Sequence, residues 1–131
     1  MVLDTSAIIA TITNEPDGAR YRDAMLNADK LSMSAVAALE TKIVLSARFG
    51  SEAVEFFDQL LETSGIVVVP FDRDMAQVAF DAFRRFGKGS GHPAQLNIID
   101  CAAYALAKAH SQPLLFKGSD FSQTDIAPAL I

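Results

Sequence analysis

The sequence contains little cysteine and little histidine: one cysteine, Cys101, and two histidines among 131 residues. A lone cysteine cannot form an internal disulfide, which is typical of the reducing cytoplasm, where we expect this chain to act. The same scarcity leaves no His/Cys ligand set for a zinc site. No apolar run approaches the length of a membrane span, so we expect no membrane association. The first residues, MVLDTSAIIATITNE, lack the basic segment of a signal peptide.

Positive charge is also scarce, since the formal net charge is −5 and the sequence pI is about 4.8. This balance argues against nucleic-acid binding through general basicity, although it allows acids gathered at one place to hold cations. Apolar residues, in contrast, make up 50% of the chain, and the mean hydropathy is +0.23. That content is ample for a core, and the length predicts one domain over residues 1–131.

Short apolar runs alternate with helical patterns along the chain. The runs lack polar alternation, as expected of parallel strands covered on both faces, and lie at 1–3, 31–33, 66–69 and 114–116. The helical patterns lie at 17–28, 34–49, 51–61, 72–86 and 98–110. This alternation predicts a three-layer α/β/α sandwich around a short parallel sheet.

Two acids follow predicted strands. Asp4 comes directly after the first strand, and Asp120 follows the last strand by a short turn through Gly118. Because the carboxyl ends of parallel strands share one edge of the sheet, we expect both carboxylates to face one crevice.

Two further acids lie within predicted helices. Glu40 falls within an apolar stripe of the 34–49 helix, which consists of Val36, Ile43, Val44 and Ala47. Asp100 begins the last helix on the face that carries the small and aromatic residues Ala103, Tyr104 and Ala107. A carboxylate on a buried face is unfavourable unless another group compensates it.

Each acid also has a simpler interpretation. Asp4 is suited to cap a helix at 6–11, and Asp100 is suited to the first turn of its helix. Asp120 is suited to an Asx turn, and Glu40 to a buried ion pair. Four independent explanations are less economical than one shared metal site. Two carboxylates about 5 Å apart repel by about 3 kcal/mol at an effective dielectric of 20, and a hard cation such as Mg²⁺ or Mn²⁺ relieves that repulsion.

Four motifs together resemble the PIN domain, with the strongest likeness to the VapC toxins of bacterial toxin–antitoxin pairs. They are DTSA at 4–7, Glu40 in the helix after the second strand, LNIIDCAAYALAK at 96–108 and LLFKGSDFSQTDI at 114–126. The resemblance covers essentially the whole chain in length and element order. The last two motifs are the specific ones, whereas DTSA alone is weak.

The resemblance implies an endoribonuclease in which Asp4, Glu40, Asp100 and Asp120 hold one or two Mg²⁺ or Mn²⁺ ions. Ser6 and Ser119 match polar positions that line the family's site. A VapB-like antitoxin and a second copy of the chain are the implied partners, beside the RNA substrate. Two departures are Ile99, where many relatives have glycine, and Gln95, where many have arginine.

The chemistry expected of such a site is attack of a metal-activated water on phosphorus, which leaves a 5′-phosphate and a 3′-hydroxyl. The candidate RNA-backbone contacts are the basic residues Arg84, Arg85, Lys88, His92 and Lys117. For the two arginines, a solvated helix end explains the pattern equally well.

Two alternative functions remain open at this point. An aspartyl-phosphate hydrolase of the haloacid-dehalogenase type shares the Asp after the first strand and a late Gly-x-Asp loop. That class needs a second acid two residues after the first, where this sequence has Ser6. The other alternative is a non-catalytic PIN-like module that only binds protein, and the presence of all four acids argues against it.

Overall fold

The computed structural model describes residues 1–130 as strands that alternate with helices. The strands are β1 (Val2–Leu3), β2 (Leu31–Ser34), β3 (Ile66–Val69) and β4 (Leu114–Leu115). The α-helices are α1 (Thr5–Ile12), α2 (Gly18–Asn27), α3 (Ala35–Phe49), α4 (Ser51–Thr63), α5 (Arg73–Phe86) and α6 (Ile98–Ala109). A short 3-10 helix, Phe121–Gln123, follows β4. These elements lie within two or three residues of the predicted ones at either end.

Two of the long helices, α3 and α5, begin where the sequence offers a side-chain cap. The Ser34 hydroxyl accepts a hydrogen bond from the Val36 N–H at 3.2 Å, and the Asp72 carboxylate accepts one from the Met75 N–H at 2.9 Å. Such caps satisfy N–H groups that have no partner within the helix. They explain why α3 and α5 start one residue after Ser34 and Asp72, respectively.

The sheet is parallel throughout and has the strand order β3-β2-β1-β4. Leu3 pairs with Leu115, and the Asp4 N–H donates to the Leu115 carbonyl at 2.9 Å. The chain therefore leaves the neighbouring strands β1 and β4 at the same level of the same edge. This register brings the start of α1 next to the segment that follows β4.

Two apolar cores lie on opposite faces of this sheet. Val2 and Leu114 belong to a core with α5 and α6, whereas Leu3 and Leu115 belong to a core with α1, α2, α3 and α4. Because successive strand residues point to opposite faces, the sheet separates the two cores. The predicted three-layer α/β/α architecture is confirmed. In the described part of the chain, no helix combines the length and apolar character needed to cross a bilayer.

The buried face of α3 is not the one that its periodicity predicts. The buried residues of this helix are Ala37, Ala38, Thr41 and Leu45. Of the predicted stripe, Ile43 is 58% exposed and Ala47 is also exposed. The stripe was wrong because α3 carries apolar residues on most of its circumference, while the buried face includes the polar Thr41. The Thr41 hydroxyl donates to the Ala37 carbonyl at 2.8 Å, which makes its burial acceptable.

Candidate active site

Asp4 connects the end of β1 to the start of α1. Its side chain is only 5% exposed, and one carboxylate oxygen, Oδ2, accepts hydrogen bonds from the Ser6 N–H at 3.1 Å and the Ser6 hydroxyl at 2.5 Å. Burial raises the pKa of Asp4, the Ser6 hydrogen bonds oppose that shift, and the charge of Glu40 adds to it. Asp4 thus caps α1 as the simpler interpretation holds, but it does so as a buried carboxylate beside another acid.

Asp100 has a similar double character at the start of α6. It forms a capping box with Asn97: the Asp100 N–H donates to the Asn97 side chain at 2.8 Å, and the Asn97 N–H donates to the Asp100 carboxylate at 3.0 Å. Burial nevertheless raises the pKa of Asp100 to about 6, with further upward shifts from Asp4, Asp120 and Glu40. The charges of the three other acids thus act on Asp100.

Glu40 and Asp120 differ from Asp4 in their exposure. Glu40 is half-buried on α3, next to the buried face rather than in its centre. Asp120 is exposed at the start of the 3-10 helix, and its side chain makes no capping hydrogen bond there. No hydrogen bond to the helix start therefore holds the Asp120 side chain, and its carboxylate is available to a ligand.

The two predicted site-lining serines have different surroundings. The Ser6 hydroxyl donates to Asp4 and accepts a hydrogen bond from the Lys117 N–H at 2.9 Å, so that it joins the ends of β1 and β4. Ser119 is exposed, and its carbonyl accepts bonds from the Ser122 N–H at 3.2 Å and the Ser122 hydroxyl at 2.6 Å. The predicted contact of the Ser119 side chain with a ligand stays a prediction.

The candidate RNA-binding residues Arg84, Arg85 and Lys88 lie at the end of α5 and in the loop that follows it. Arg84 stacks over Phe80 with its guanidinium carbon 5.7 Å from the ring centre, and Arg85 lies 3.7 Å from the Asp125 carboxylate. Both arginines are exposed in the last turn of α5, where cations complement the helix dipole. Lys88 is exposed in the following loop. The role of these residues in RNA binding stays a prediction.

His92 has structural contacts that its loop position did not reveal. Its Nδ1 accepts a hydrogen bond from the Ala94 N–H at 3.1 Å, and its ring meets Phe86 edge-on with a centroid distance of 4.9 Å. The side chain therefore fixes the 87–97 loop against α5, whatever it contributes to RNA binding.

Lys117 is the one predicted cation beside the acidic edge, and it already has acidic partners. Its ammonium donates to Glu15 and, at 2.9 Å, to Asp17. Sequence reasoning missed both acids, because they lie about a hundred residues before Lys117 and follow α1 rather than a strand. The pairing raises the pKa of Lys117 and, mainly through the Lys117 hydrogen bond, lowers that of Asp17.

The four acids have the donor chemistry of a site for a hard divalent cation. Their ligating atoms are all carboxylate oxygens, which Mg²⁺ and Mn²⁺ prefer. Within residues 1–130, no three His, Cys, Asp or Glu side chains form a ready-made metal cluster. Gathering these oxygens around an ion therefore requires side-chain rotation, which the exposed Asp120 and the half-buried Glu40 permit.

A family comparison agrees with this fold. The model of the PIN domain family matches residues 1–127, nearly the full length. The chain therefore belongs to the PIN domain family, as its motifs predicted.

Curated relatives narrow the assignment to the VapC branch of that family. Ribonuclease VapC28 of Mycobacterium tuberculosis is 45% identical over 130 residues, which is 99% of this chain and 98% of the relative. Ribonuclease VapC42 of the same species is 42% identical over 129 residues, or 98% of each chain. Ribonuclease VapC of Mycolicibacterium smegmatis is 45% identical over 127 residues, covering 97% of this chain and 98% of that one.

Solved structures share the fold at low sequence identity. Mycobacterium tuberculosis VapC20, described as a toxin that cleaves the sarcin–ricin loop, superposes with a TM-score of 0.80 at 16% identity, over 96% of this chain and 95% of that one. FitAcB of Neisseria gonorrhoeae superposes with a TM-score of 0.68 at 20% identity, over 97% and 94% of the two chains. These likenesses support the α/β/α architecture.

Proposed function

We propose that this chain is a divalent-cation-dependent endoribonuclease, the toxin of a toxin–antitoxin pair, with Asp4, Glu40, Asp100 and Asp120 as its catalytic carboxylates. One observation carries the assignment of the site. The pKa of Asp100 is raised to about 6 by burial and by the other three acids, which reach it from three different elements. Uncompensated acids of this kind are the arrangement that a cation stabilises. The names of the VapC relatives support ribonuclease activity.

The cation is Mg²⁺ or Mn²⁺ in this proposal, and the four carboxylates hold it. When bound, such an ion neutralises a scissile phosphate and lowers the pKa of a coordinated water. The chain contributes the placement of its ligands. Ser6 holds Asp4 through two hydrogen bonds to one oxygen, which leaves the other oxygen for a ligand. The capping box with Asn97 holds Asp100 in the same way through one oxygen.

Exposure divides the roles among the four acids. Asp4 is buried, whereas Asp120 is exposed. A phosphodiester arriving from solvent therefore meets Asp120 and the half-exposed Glu40 before Asp4. Arg84, Arg85 and Lys88 are proposed to contact the RNA backbone farther along the surface, where each is exposed.

The proposed partners follow from the same charge distribution. One structural neighbour is a toxin–antitoxin complex from Klebsiella pneumoniae, with a TM-score of 0.71 at 15% identity. A VapB-like antitoxin that places an Arg or Lys among the four acids would replace the charge of the metal. Homodimerisation and a cytoplasmic location are part of the proposal, in keeping with the family resemblance and the single, buried Cys101.

The haloacid-dehalogenase alternative has no support in the site. Its second acid would stand at position 6, where the Ser6 hydroxyl is bonded to Asp4 and Lys117. Asp120 ends the late Gly-x-Asp loop of this alternative, but a serine at position 6 cannot act as the general acid that the class needs. Asp125, farther along the chain, accepts a hydrogen bond from Tyr104 at 2.6 Å and lies 3.0 Å from the Lys108 ammonium.

The test is cleavage of single-stranded and hairpin RNA by the purified chain in Mn²⁺, with Asp4→Asn as the variant. The side-chain amide oxygen that this substitution introduces can still accept the Ser6 N–H, so we expect the fold to survive while cleavage falls at least about a hundredfold. Asp74→Asn is the matched control, because Asp74 is an exposed acid in the first turn of α5. Undiminished cleavage by folded Asp4→Asn, or cleavage that persists in EDTA, refutes the proposal.

A further inference from the structure

Lys117 carries a positive charge at the edge of the candidate site, and the fold provides it with two acids of its own. Its ammonium donates to Glu15 and Asp17, and the side chains of all three residues are about one-third exposed, from 30% to 35%. The charge of Arg20 also acts on Asp17. Partly exposed ion pairs of this kind contribute little to stability, so the position of this cluster beside the candidate site is what requires an explanation.

The turn between α1 and α2 presents these two acids in a fixed position. The Glu15 N–H donates to the Ala10 carbonyl at 3.2 Å, and Asn14 has a φ of 55°, which together end α1 in the manner of a Schellman motif. Gly18 passes so close that a Cβ there would lie 2.7 Å from the Ala10 carbonyl oxygen. Glu15 and Asp17 thus belong to a closely packed turn.

Asp17 pairs with Lys117 and does not cap the helix that it precedes. It stands at the N-cap of α2, where an aspartate ordinarily accepts a hydrogen bond from the helix. Its side chain makes no such bond and instead lies 2.9 Å from the Lys117 ammonium. The helix start is left without its side-chain cap while the long-range pair is formed.

Lys117 is attached next to Asp4. Its N–H donates to the Ser6 hydroxyl at 2.9 Å, and that hydroxyl donates to Asp4 at 2.5 Å. The lysine side chain is long and flexible, and its backbone lies two hydrogen bonds from Asp4, so an ammonium that Glu15 and Asp17 do not hold can turn toward Asp4. The charged side chains that shift the pKa of Asp100 are the acids Asp4, Asp120 and Glu40, so the site keeps its negative charge.

We propose that Glu15 and Asp17 are positioning residues, which hold the Lys117 ammonium away from the four catalytic carboxylates and so keep that site open to a divalent cation. Without Glu15 and Asp17, the Lys117 ammonium would bind the four carboxylates and compete with the metal ion. This inference rests on the proposed function for the identity of the site, and it assigns Lys117 a role other than contact with the RNA backbone.

The test is calorimetric titration of Mn²⁺ into the full chain freed of metal by EDTA and dialysis. The proteins are the wild type, Glu15→Gln/Asp17→Asn, Lys117→Gln and the triple variant. We expect the double variant to bind Mn²⁺ about tenfold more weakly, as when an ammonium occupies the site in about nine molecules of ten. Lys117→Gln alone and the triple variant should both bind within about twofold of the wild type.

The controls separate this competition from simpler effects. Asp58→Asn removes an acid that pairs with Lys42 at 3.0 Å on α3 and α4, and it should leave Mn²⁺ affinity unchanged. Asp4→Asn should abolish binding and thereby tests the proposed site independently. If the double variant fails to fold, as thermal unfolding will show, Asp17→Asn alone carries the same test with a smaller loss.

Three results would overturn the inference while leaving the proposed function intact. Unweakened binding by the double variant would show that Lys117 does not compete. If Lys117→Gln raised Mn²⁺ affinity by the same factor in the wild type and in the double variant, the charge of Lys117 would act at a distance and would not compete with the metal. If Lys117→Gln alone lowered Mn²⁺ affinity as much as the double variant does, the ion pairs of Lys117 would support the structure of the site and the lysine would not be a competitor. Absence of Mn²⁺ binding by the wild type would refute the proposed function itself.

Discussion

Replacing Asp100 with asparagine should stabilise the metal-free protein, although Asp100 takes part in a helix cap. The capping box survives the change, because the introduced amide oxygen can accept the Asn97 N–H and the backbone N–H at position 100 still donates to Asn97. What is lost is a charge that burial and three acids disfavour. The variant therefore isolates the electrostatic cost of the site from the stability of α6.

The pKa of Asp100 sets the size of the effect. A rise from 3.8 to about 6 corresponds to about 3 kcal/mol at about 1.4 kcal/mol per pKa unit. Asp100 is only partly buried, so solvent screening reduces the expected gain to about 1–2 kcal/mol. For a chain of this length, that is an increase in melting temperature of roughly 4–8 °C.

The sign of the pH dependence follows from linkage. The folded protein holds the Asp100 proton more tightly than the unfolded chain, so the stability that this proton gives is complete below pH 3.8 and is lost as the pH rises through about 6. The advantage of Asp100→Asn should therefore be small near pH 4, grow up to about pH 6 and stay constant above about pH 7.

The assay is thermal unfolding by circular dichroism in EDTA at pH 4, 5, 6 and 7.5, with Asp74→Asn as the control that should show no gain. Mn²⁺ should stabilise the wild type more than Asp100→Asn, because a ligand that binds only the folded state raises its stability. A variant less stable than the wild type in EDTA at pH 7.5 would contradict the reasoning and favour a purely capping role for the charged Asp100.

Two further variants probe the supports of the site. Ser6→Ala removes the hydroxyl that joins Asp4 to the Lys117 N–H. It should lower the free energy of unfolding, measured in urea, by about 1–3 kcal/mol. An unchanged urea midpoint would mean that neither hydrogen bond contributes to stability. Tyr104→Phe removes the 2.6 Å hydrogen bond to Asp125. It should lower the free energy of unfolding by about 1–2 kcal/mol in the same assay and leave Mn²⁺ affinity unchanged. A large loss of Mn²⁺ affinity would contradict a purely structural role for Tyr104.

The architecture was predictable from the sequence because its signals are local. Apolar runs marked the strands and helical patterns marked the helices, so the predicted elements agree with the structure. The positions of Asp4 and Asp120 followed from one topological rule, that parallel strands share their carboxyl edge. Membership of the PIN domain family followed from motifs that combine these elements and is confirmed.

The orientation of α3 was not predictable by the same means. Leu39, at 60% exposed, and Ile43 face solvent, while Thr41 is fully buried against Thr5. Hydrophobicity alone ranks these positions in the wrong order, because the buried Thr41 hydroxyl is satisfied by the Ala37 carbonyl of its own helix and by Thr5 of a distant segment. Glu40 stays a predicted site residue, although the stripe used to argue for it was not the buried face.

The pairing of Lys117 with Glu15 and Asp17 also lay beyond sequence reasoning. It joins the turn after α1 to the segment after β4, and no periodicity or spacing rule connects positions about a hundred residues apart. Asp17 even carries a misleading local signal, since it stands at an N-cap that its side chain does not serve.

The most direct test of the account is the position of Mn²⁺ in crystals of the metal-free protein soaked with MnCl₂ and recorded at a wavelength where manganese scatters anomalously. The account predicts an anomalous peak bounded by carboxylate oxygens of at least three of Asp4, Glu40, Asp100 and Asp120, and loss of that peak in Asp4→Asn. An anomalous peak elsewhere, in a protein that cleaves RNA under the same conditions, would contradict it.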